Sequence, residues 1–471
     1  MAYTDFIAAI DLGTSHMVGM VGTKNATGAL SIIAYEVENS GTCIRRGCVY
    51  NVKETASKIK RLILKLENKL GGAKIGQVYV GLGGQSLRSI EHTVCKVLGT
   101  EGVVTEEIID SLYQECKDYR PDMFSVLDVV SPSYFLDEKP ESNPVGVPCS
   151  RIEARYKLIV GRPSLKLNIV NSISEQAKIE IAGILVSPLA LGDVVLSDNE
   201  KDLGCALIGF GAGVTTISVY KGGKLASLSV VPFGGNLITK DITNLRVVES
   251  EAERLKITYG SAKADRDNDM TIQVSLADGM GLREIKLAEL NGVIEARMDE
   301  ILENVYARLE ATGLMSVLGA GIVITGGGAA LKNLPAVMSE RLKMEVRYSA
   351  VRKGVVASGD LVVASNPEYA VAVGLLAKGT KNCALYIPPK PEPKIEPVVE
   401  PEPTVEPTPE PEPVKEKLKK EKKKGPGLFG RLTKGIDTFG KTLFDDDDFS
   451  GKTFKPVWQW NHNPNDKMWS L

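Results

Sequence analysis

Three short turns carry the residue types that a chain of phosphates requires. In Asp11-Leu12-Gly13-Thr14-Ser15-His16, the missing Cβ of Gly13 lets a ligand approach the backbone, while Thr14 and Ser15 offer hydroxyl donors. Asp11 is a hard carboxylate of the kind that holds Mg2+ through water. The second turn, Gly209-Phe210-Gly211-Ala212-Gly213-Val214-Thr215, can clamp the other side of the phosphates through Gly211, Ala212 and Gly213. The third, Thr325-Gly326-Gly327-Gly328-Ala329, is expected to open a helix whose N-terminus takes the nucleoside and its first phosphate. None follows G-x-x-x-x-G-K-[ST], and none is a G-x-G-x-x-G placed between strand and helix. Taken singly, each also reads as an ordinary hairpin corner with Asp11 as a turn former.

Their setting separates the two readings. Apolar strands are expected at Phe6 to Ile10, Met17 to Gly22 and SIIAYEV, so the first turn joins two strands of a meander. A helix follows at VKETASKIKRLILKLENKLG, where Ile59, Leu62, Ile63, Leu66 and Leu70 share a face and Gly71 stops it. After the strand QVYVGLGG, residues from about Gln85 to Val160 mix short strands with a helix at TEEIIDSLYQECKDY, N-capped by Thr105. The opening pattern then recurs as CALIGFG, TTISVYKGG and KLASLSVVPFGG, and IVITGGGAALKN adds a strand running into the third turn. Two copies of strand, glycine turn, strand, strand imply an α/β chain built by internal duplication.

Composition excludes several other chemistries. Across 471 residues, 57 Lys plus Arg balance 59 Asp plus Glu, so no overall basic field suits nucleic acid. The seven cysteines are odd in number and scattered, with only Cys43 and Cys48 close, and fit free thiols of a reducing compartment. His16, His92 and His462 are too dispersed for a zinc cluster, and no G-x-S-x-G elbow offers a hydrolase nucleophile. No apolar run approaches the ~20 residues of a membrane-spanning helix. MAYTDFIAAIDLGTSH lacks a basic region before an apolar core, so it does not read as a signal peptide and a cytosolic chain is expected.

Composition changes near residue 387. PPKPEPKIEPVVEPEPTVEPTPEPEPV reads as an extended charged spacer, and KEKLKKEKKK reverses its charge. In GPGLFGRLTKGIDTFGKTLF, Leu428, Phe429, Leu432, Ile436, Phe439 and Leu443 fall within one arc of about 100° on a helical projection, with Phe444 ending the segment. Arg431, Lys434, Asp437, Thr438 and Lys441 lie opposite, the pattern of a helix lying on an anionic membrane surface. DDDD and a tail with Trp458, Trp460 and Trp469 follow.

The two hairpin turns, TGGGAALKN and the late helix NPEYAVAVGLLAKG resemble the phosphate, adenosine and connecting motifs of the actin, Hsp70 and sugar-kinase superfamily. Within it, VVPFGGNLITKDI, NPVGVPCSRIEARYKLIVG, SPLALGDVVLSDNEKDLG and AERLKITYGSA are similar to segments of the FtsA family, the bacterial cell-division actin homologues, over residues 6 to 380. A proline-rich linker ending in an amphipathic helix is also a trait of that family.

The resemblance implies an actin-like, two-lobed, duplicated ribonuclease-H-like α/β fold with an inserted subdomain. Lobe I would comprise residues 1–84 with 166–197 and 361–387, and the inserted subdomain 85–165. Lobe II would comprise 198–240 with 300–360, and its outer subdomain 241–299. The linker would run over 388–424, the membrane-targeting helix over 425–444 and the tail over 445–471. It further implies ATP with Mg2+ between the lobes, held by Asp11, Gly13, Thr14, Ser15, His16, Gly211, Ala212, Gly213, Gly326, Gly327, Gly328 and Ala329, with Glu253 and Lys256 at ribose and adenine. Arg297 in VIEARMDEILENV falls where the family receives the C-terminal peptide of the tubulin homologue FtsZ, and within its own helix only Glu300 is spaced to pair with it. The implied partners are FtsZ, further copies of the chain in a filament, the anionic inner face of the cytoplasmic membrane at the septum, and other division proteins. Two positions depart from the family pattern: Gly209 stands where an aspartate usually positions metal and water, and His16 where a basic residue is common. Binding survives such losses better than phosphoryl transfer, so slow turnover is expected. A sugar kinase or phosphatase on the same fold, or a pilus-assembly relative, remains the alternative.

Overall fold

A computed structural model describes residues 5–99, 102–275, 281–357 and 366–385. The expected linker, the segment 425–444 with Leu428 to Phe444, and the tail lie outside the described residues.

Two five-stranded sheets have the same construction. In the first the order is Glu180–Val186, Gln77–Leu82, Ile7–Leu12, His16–Lys24, Leu30–Asn39. Ile7–Leu12 pairs antiparallel with His16–Lys24 and parallel with Gln77–Leu82. In the second the order is Lys224–Val231, Thr215–Lys221, Cys205–Phe210, Ile322–Thr325, Val346–Tyr348. Cys205–Phe210 likewise pairs antiparallel with Thr215–Lys221 and parallel with Ile322–Thr325. Both central strands, IAAIDL and CALIGF, are apolar almost throughout because both faces are covered.

Helix Val52–Lys69 buries Ile59, Leu62, Ile63 and Leu66 on the first sheet. Its N-cap is Asn51, whose side chain accepts from the Glu54 N–H, and Gly71 turns the chain away at φ +61°. Helix Leu287–Glu310 buries Ile294, Met298, Ile301, Leu302 and Val305 in the core of the second lobe. Helix Ala370–Lys378 crosses against Ser187–Val195 at Gly374, where a Cβ would come within 2.3 Å of the Ala190 carbonyl oxygen. The first core cluster takes in Cys205, Leu207, Tyr220, Leu228 and Val323 of the second sheet, so the lobes share an apolar seam.

Inserted in the chain between the strands Gln77–Leu82 and Glu180–Val186, which are themselves paired, is a separate antiparallel sheet, ordered Arg88–Val97, Arg151–Gly161, Ser125–Leu136, Lys139–Glu141. It has its own core around Leu112, Ile152, Tyr156 and Leu158, and Thr105 caps its helix Glu106–Asp118 by accepting from the Ile108 N–H. Ser89 joins it to the second lobe: its hydroxyl accepts from the Leu228 N–H at 2.8 Å and donates to the Leu228 carbonyl at 3.5 Å.

Two expectations shift. The first strand extends through Asp11 and Leu12, paired to Val18 and Met17, so the turn shortens to Gly13–Ser15. The third glycine turn opens only a single 3-10 turn, Gly327–Ala330, and the α-helix begins at Leu334 with Pro335 in its first turn. Gly326 at φ +87° and the weak helix propensity of glycine explain the delay.

Candidate functional site

The three turns converge where the lobes face each other. Gly13 is fixed by Ser40, whose hydroxyl donates to its carbonyl at 2.7 Å, while the Ser40 N–H donates to Ser15 at 2.9 Å. A Cβ on Gly13 would lie 2.5 Å from the His16 carbonyl oxygen, so the hairpin closes this tightly only with glycine there. Half-buried His16 opens the next strand opposite Asn39. Asp11 Oδ1 lies 3.1 Å from where a Cβ of Gly81 would stand, in the gap between neighbouring strands. Burial pushes its carboxyl up to about 6, against the opposing hydrogen bond from the Leu12 N–H.

The second turn is braced from behind. The carbonyls of Gly211 and Ala212 accept from the N–H groups of Gly235 and Asn236, which open helix Gly235–Ile242. Helix Glu249–Tyr259 lays Glu253 and Lys256 beside that helix: Lys256 Nζ reaches Glu253 Oε2 at 2.6 Å, Thr239 Oγ1 at 2.9 Å and the Gly235 carbonyl at 3.2 Å. Thr239 also donates to Glu253. The third turn packs on the second, since Cβ atoms on Gly326 and Gly328 would strike the Phe210 carbonyl oxygen at 2.5 Å and Phe210 Cβ at 2.9 Å. Gly327 faces Glu368 Oε1, and Ala329 is buried behind the turn.

At Gly209 the place of a side chain is already taken. A Cβ there would lie 2.6 Å from Thr216 Oγ1 and 3.7 Å from Thr325 Cγ2. Thr216 thus fills the space that the aspartate expected at position 209 would occupy.

Arg297 lies outside this cleft, on helix Leu287–Glu310. Its Nη2 is 3.1 Å from Asp241 Oδ1, its Nε also bonds Asp241, and its Nη1 bonds Glu300. The Glu300 pairing follows from helical spacing, whereas Asp241 arrives from another helix 56 residues earlier and has no local signal.

The geometry fits a magnesium nucleotide on two counts. Thr325 Oγ1 is buried without a partner among the described residues, at the mouth of the third turn. The desolvated carboxyl of Asp11 is the only acid the first turn brings in, and Mg2+ is commonly held by one or two carboxylates plus phosphate and water. Among the described residues, no three His, Cys, Asp or Glu side chains gather as a ready-made metal site. Sequence reasoning missed Ser40, Gly235 and Thr216, which act through position rather than type; the Gly234-Gly235 pair ending VVPFGG was the one visible signal.

Duplicated sheets of this order, with an inserted subdomain and glycine hairpins meeting across a cleft, define an actin-like two-lobed protein. Among solved structures, the fold is similar to a PilM-PilN type IV pilus biogenesis complex, with TM-score 0.55 and 16% identity over 79% of this chain and 97% of that one. Residues 206–374 match the family model described as cell division protein FtsA. The chain is 39% identical over 382 residues to the cell division protein FtsA of Porphyromonas gingivalis, covering 81% of this chain and 79% of that relative. It is 32% identical to that of Bacillus subtilis, covering 82% and 86%. The chain belongs to the FtsA family.

Proposed function

We propose that this is a cell-division protein that binds Mg-ATP between its lobes, assembles into actin-like filaments and tethers FtsZ filaments to the inner face of the cytoplasmic membrane at the septum. The observation that carries the reading is the meeting of the Gly13 and Gly213 hairpins, one from each lobe, beside Asp11 and the hydroxyl of Thr325, which has no partner among the described residues. When bound, Mg-ATP supplies a polyanion and a counter-cation that both lobes can grip. Thr14, Ser15 and the backbone N–H groups of Ala212 and Gly213 orient phosphate oxygens, while the Gly211 N–H closes the hairpin on the Val214 carbonyl at 2.9 Å, and Asp11 holds the water shell of the metal. Glu253 is placed to meet the ribose, held by Lys256, whose three donors go to Glu253, Thr239 and the Gly235 carbonyl. Gly327 allows close approach to the nucleoside, with Gly326 and Gly328 packed on Phe210 and Ala329 buried behind the turn. With Thr216 where a carboxylate would be, no acid stands there to orient an attacking water, which supports slow turnover.

Two lobes of like construction offer complementary faces for head-to-tail, non-closing assembly. Arg297 and its neighbours would receive the acidic FtsZ peptide, and the sequence 427–444 would fold on anionic lipid, helped by the preceding lysines. A filament makes weak peptide and lipid contacts multivalent.

Thermal melting of the full chain tests the cleft: Mg-ATP at a hundredfold excess over its dissociation constant should stabilise it by about 2.7 kcal/mol. No shift at millimolar Mg-ATP would remove the nucleotide reading. Vesicle pelleting with and without residues 425–471 tests the anchor, and equal pelleting of both forms would remove it.

A further inference from the structure

The hairpin formed by Ile44–Arg45 and Cys48–Val49 turns through Arg46 and Gly47 at φ +48° and +73°. Both central residues of such a turn sit in the left-handed region, where Asn, Asp or Gly is ordinary and a long side chain is strained. The strained residue sits at a junction of three parts of the fold. The Gly47 N–H donates to Thr14 Oγ1 at 2.9 Å, tying the tip to the first glycine turn. The Cα of Arg46 lies 2.9 Å from where a Cβ of Gly213 would stand, against the second. The Arg46 carbonyl accepts from the Gln85 N–H at 3.1 Å, and its Nη1 donates to Gln85 Oε1 at 3.3 Å, at the root of the inserted subdomain.

Among the described residues, the charge of Arg46 is also uncompensated. Adjacent Arg45 stacks on the Tyr50 ring at 3.8 Å, while Arg61, Arg297, Arg341 and Arg347 sit on carboxylates. Exposed Arg46 has, among the described residues, only the neutral amide of Gln85 for its guanidinium. A strained arginine beside both phosphate turns, without a carboxylate, has the attributes of a residue kept for an anionic ligand.

We propose that Arg46 reads the terminal phosphate of a bound nucleoside triphosphate and passes the result to the inserted subdomain. With a triphosphate in the cleft, the guanidinium leaves Gln85 for the terminal phosphate, with which its planar fork makes two charge-assisted hydrogen bonds. With a diphosphate it stays on Gln85, holding the root of the subdomain at Gly84 to Ser86. The inference rests on the Mg-ATP reading above and adds to it a sensor and a route.

The test uses the full chain and the variants Arg46→Gln, Arg46→Lys and Arg46→Gly, titrated with Mg-ATP and with Mg-ADP, while hydrogen exchange is followed at the amides of Gln85 to Leu87. Arg46→Gln should lose about tenfold in Mg-ATP affinity and change little for Mg-ADP, with Arg46→Lys in between. Arg46→Gly relieves the φ +48° strain, so it should fold at least as stably as the parent and show the same selective loss. In the parent, exchange at Gln85 should be faster with Mg-ATP than with Mg-ADP, and the difference should vanish in the Gln and Gly variants. If these variants keep the parental ATP-to-ADP ratio, or the nucleotide-dependent exchange persists in them, the assignment is overturned. A parent that binds neither nucleotide would instead overturn the cleft reading, a result visible without any variant.

Discussion

Thr14 and Gly213, one from each lobe, touch across the cleft: a methyl group on Gly213 would stand 2.6 Å from Thr14 Oγ1 and 2.9 Å from its Cγ2. The second turn therefore comes as near to the first as a backbone without Cβ allows. Any side chain at 213 must part the lobes or displace the hairpin tip at Arg46, which lies 2.9 Å from the same point.

Gly213→Ala should consequently impair ligand closure more than folding. Overpacking of one methyl costs about 1–3 kcal/mol, and the lobes can relieve it by opening along the cleft. We expect a small drop in melting temperature without ligand and loss of most of the Mg-ATP-induced rise. A variant that keeps the full rise would show that the turns need not meet for binding.

Gly209 and Thr216 make a second close pair, with Thr216 Oγ1 2.6 Å from the Cβ that Gly209 lacks. Restoring a carboxylate by Gly209→Asp alone should destabilise the protein by about 1–3 kcal/mol, because the short threonine side chain has little room to give way. Adding Thr216→Ala opens that space, and the double variant should recover stability and hydrolyse ATP at least about tenfold faster than the parent. Single-turnover phosphate release measures the rate. No acceleration in a folded double variant would mean that the lost aspartate is not what limits turnover.

Both sheets were legible because duplication is visible as a repeated pattern of apolar runs and glycine turns, and pairing then follows from strand length and turn position. IAAIDL and CALIGF could be matched before either was seen to occupy the centre of its sheet. What escaped were contacts between residues far apart in sequence. Asp241 on Arg297, Gln85 on Arg46 and Thr216 against Gly209 depend on how elements pack, which local periodicity does not encode. The third turn misled for a local reason: three glycines after a strand suggest a helix N-terminus, but Gly326 at φ +87° and Pro335 move the α-helix to Leu334.

Asp11 links pH to stability with a definite sign. Its ordinary carboxyl value of 3.8 rises to about 6 in the native state because burial disfavours the charge. The folded protein therefore holds this proton more tightly than the unfolded chain, so the contribution of Asp11 turns unfavourable as pH rises from about 4 and is fully so above about 6. Asp11→Asn should raise the stability of the ligand-free protein by at most about 3 kcal/mol near neutral pH and by almost nothing near pH 4. The same variant should lose the Mg2+-dependent part of ATP stabilisation, since the charge that burdens the empty fold is the one that holds the cation. Melting curves across pH, with and without Mg-ATP, measure both, and a pH-independent gain would locate the effect elsewhere.

Arg297 is a harder residue to test, because the guanidinium proposed for the FtsZ peptide already bonds Asp241 and Glu300 and is three-quarters buried at 25% exposure. Arg297→Glu should abolish FtsZ co-pelleting, but it also puts a like charge beside Asp241 and should destabilise the protein by about 1–3 kcal/mol. The exchanged pair Arg297→Asp with Asp241→Arg separates the two effects. It restores an ion pair between the same helices, so stability should return most of the way to that of the parent. The guanidinium then projects from the other helix, so a peptide that needs Arg297 itself should still fail to bind. Recovery of FtsZ binding together with stability would show that Arg297 serves only to hold helix Leu287–Glu310 against Gly235–Ile242, and that the peptide docks on other residues.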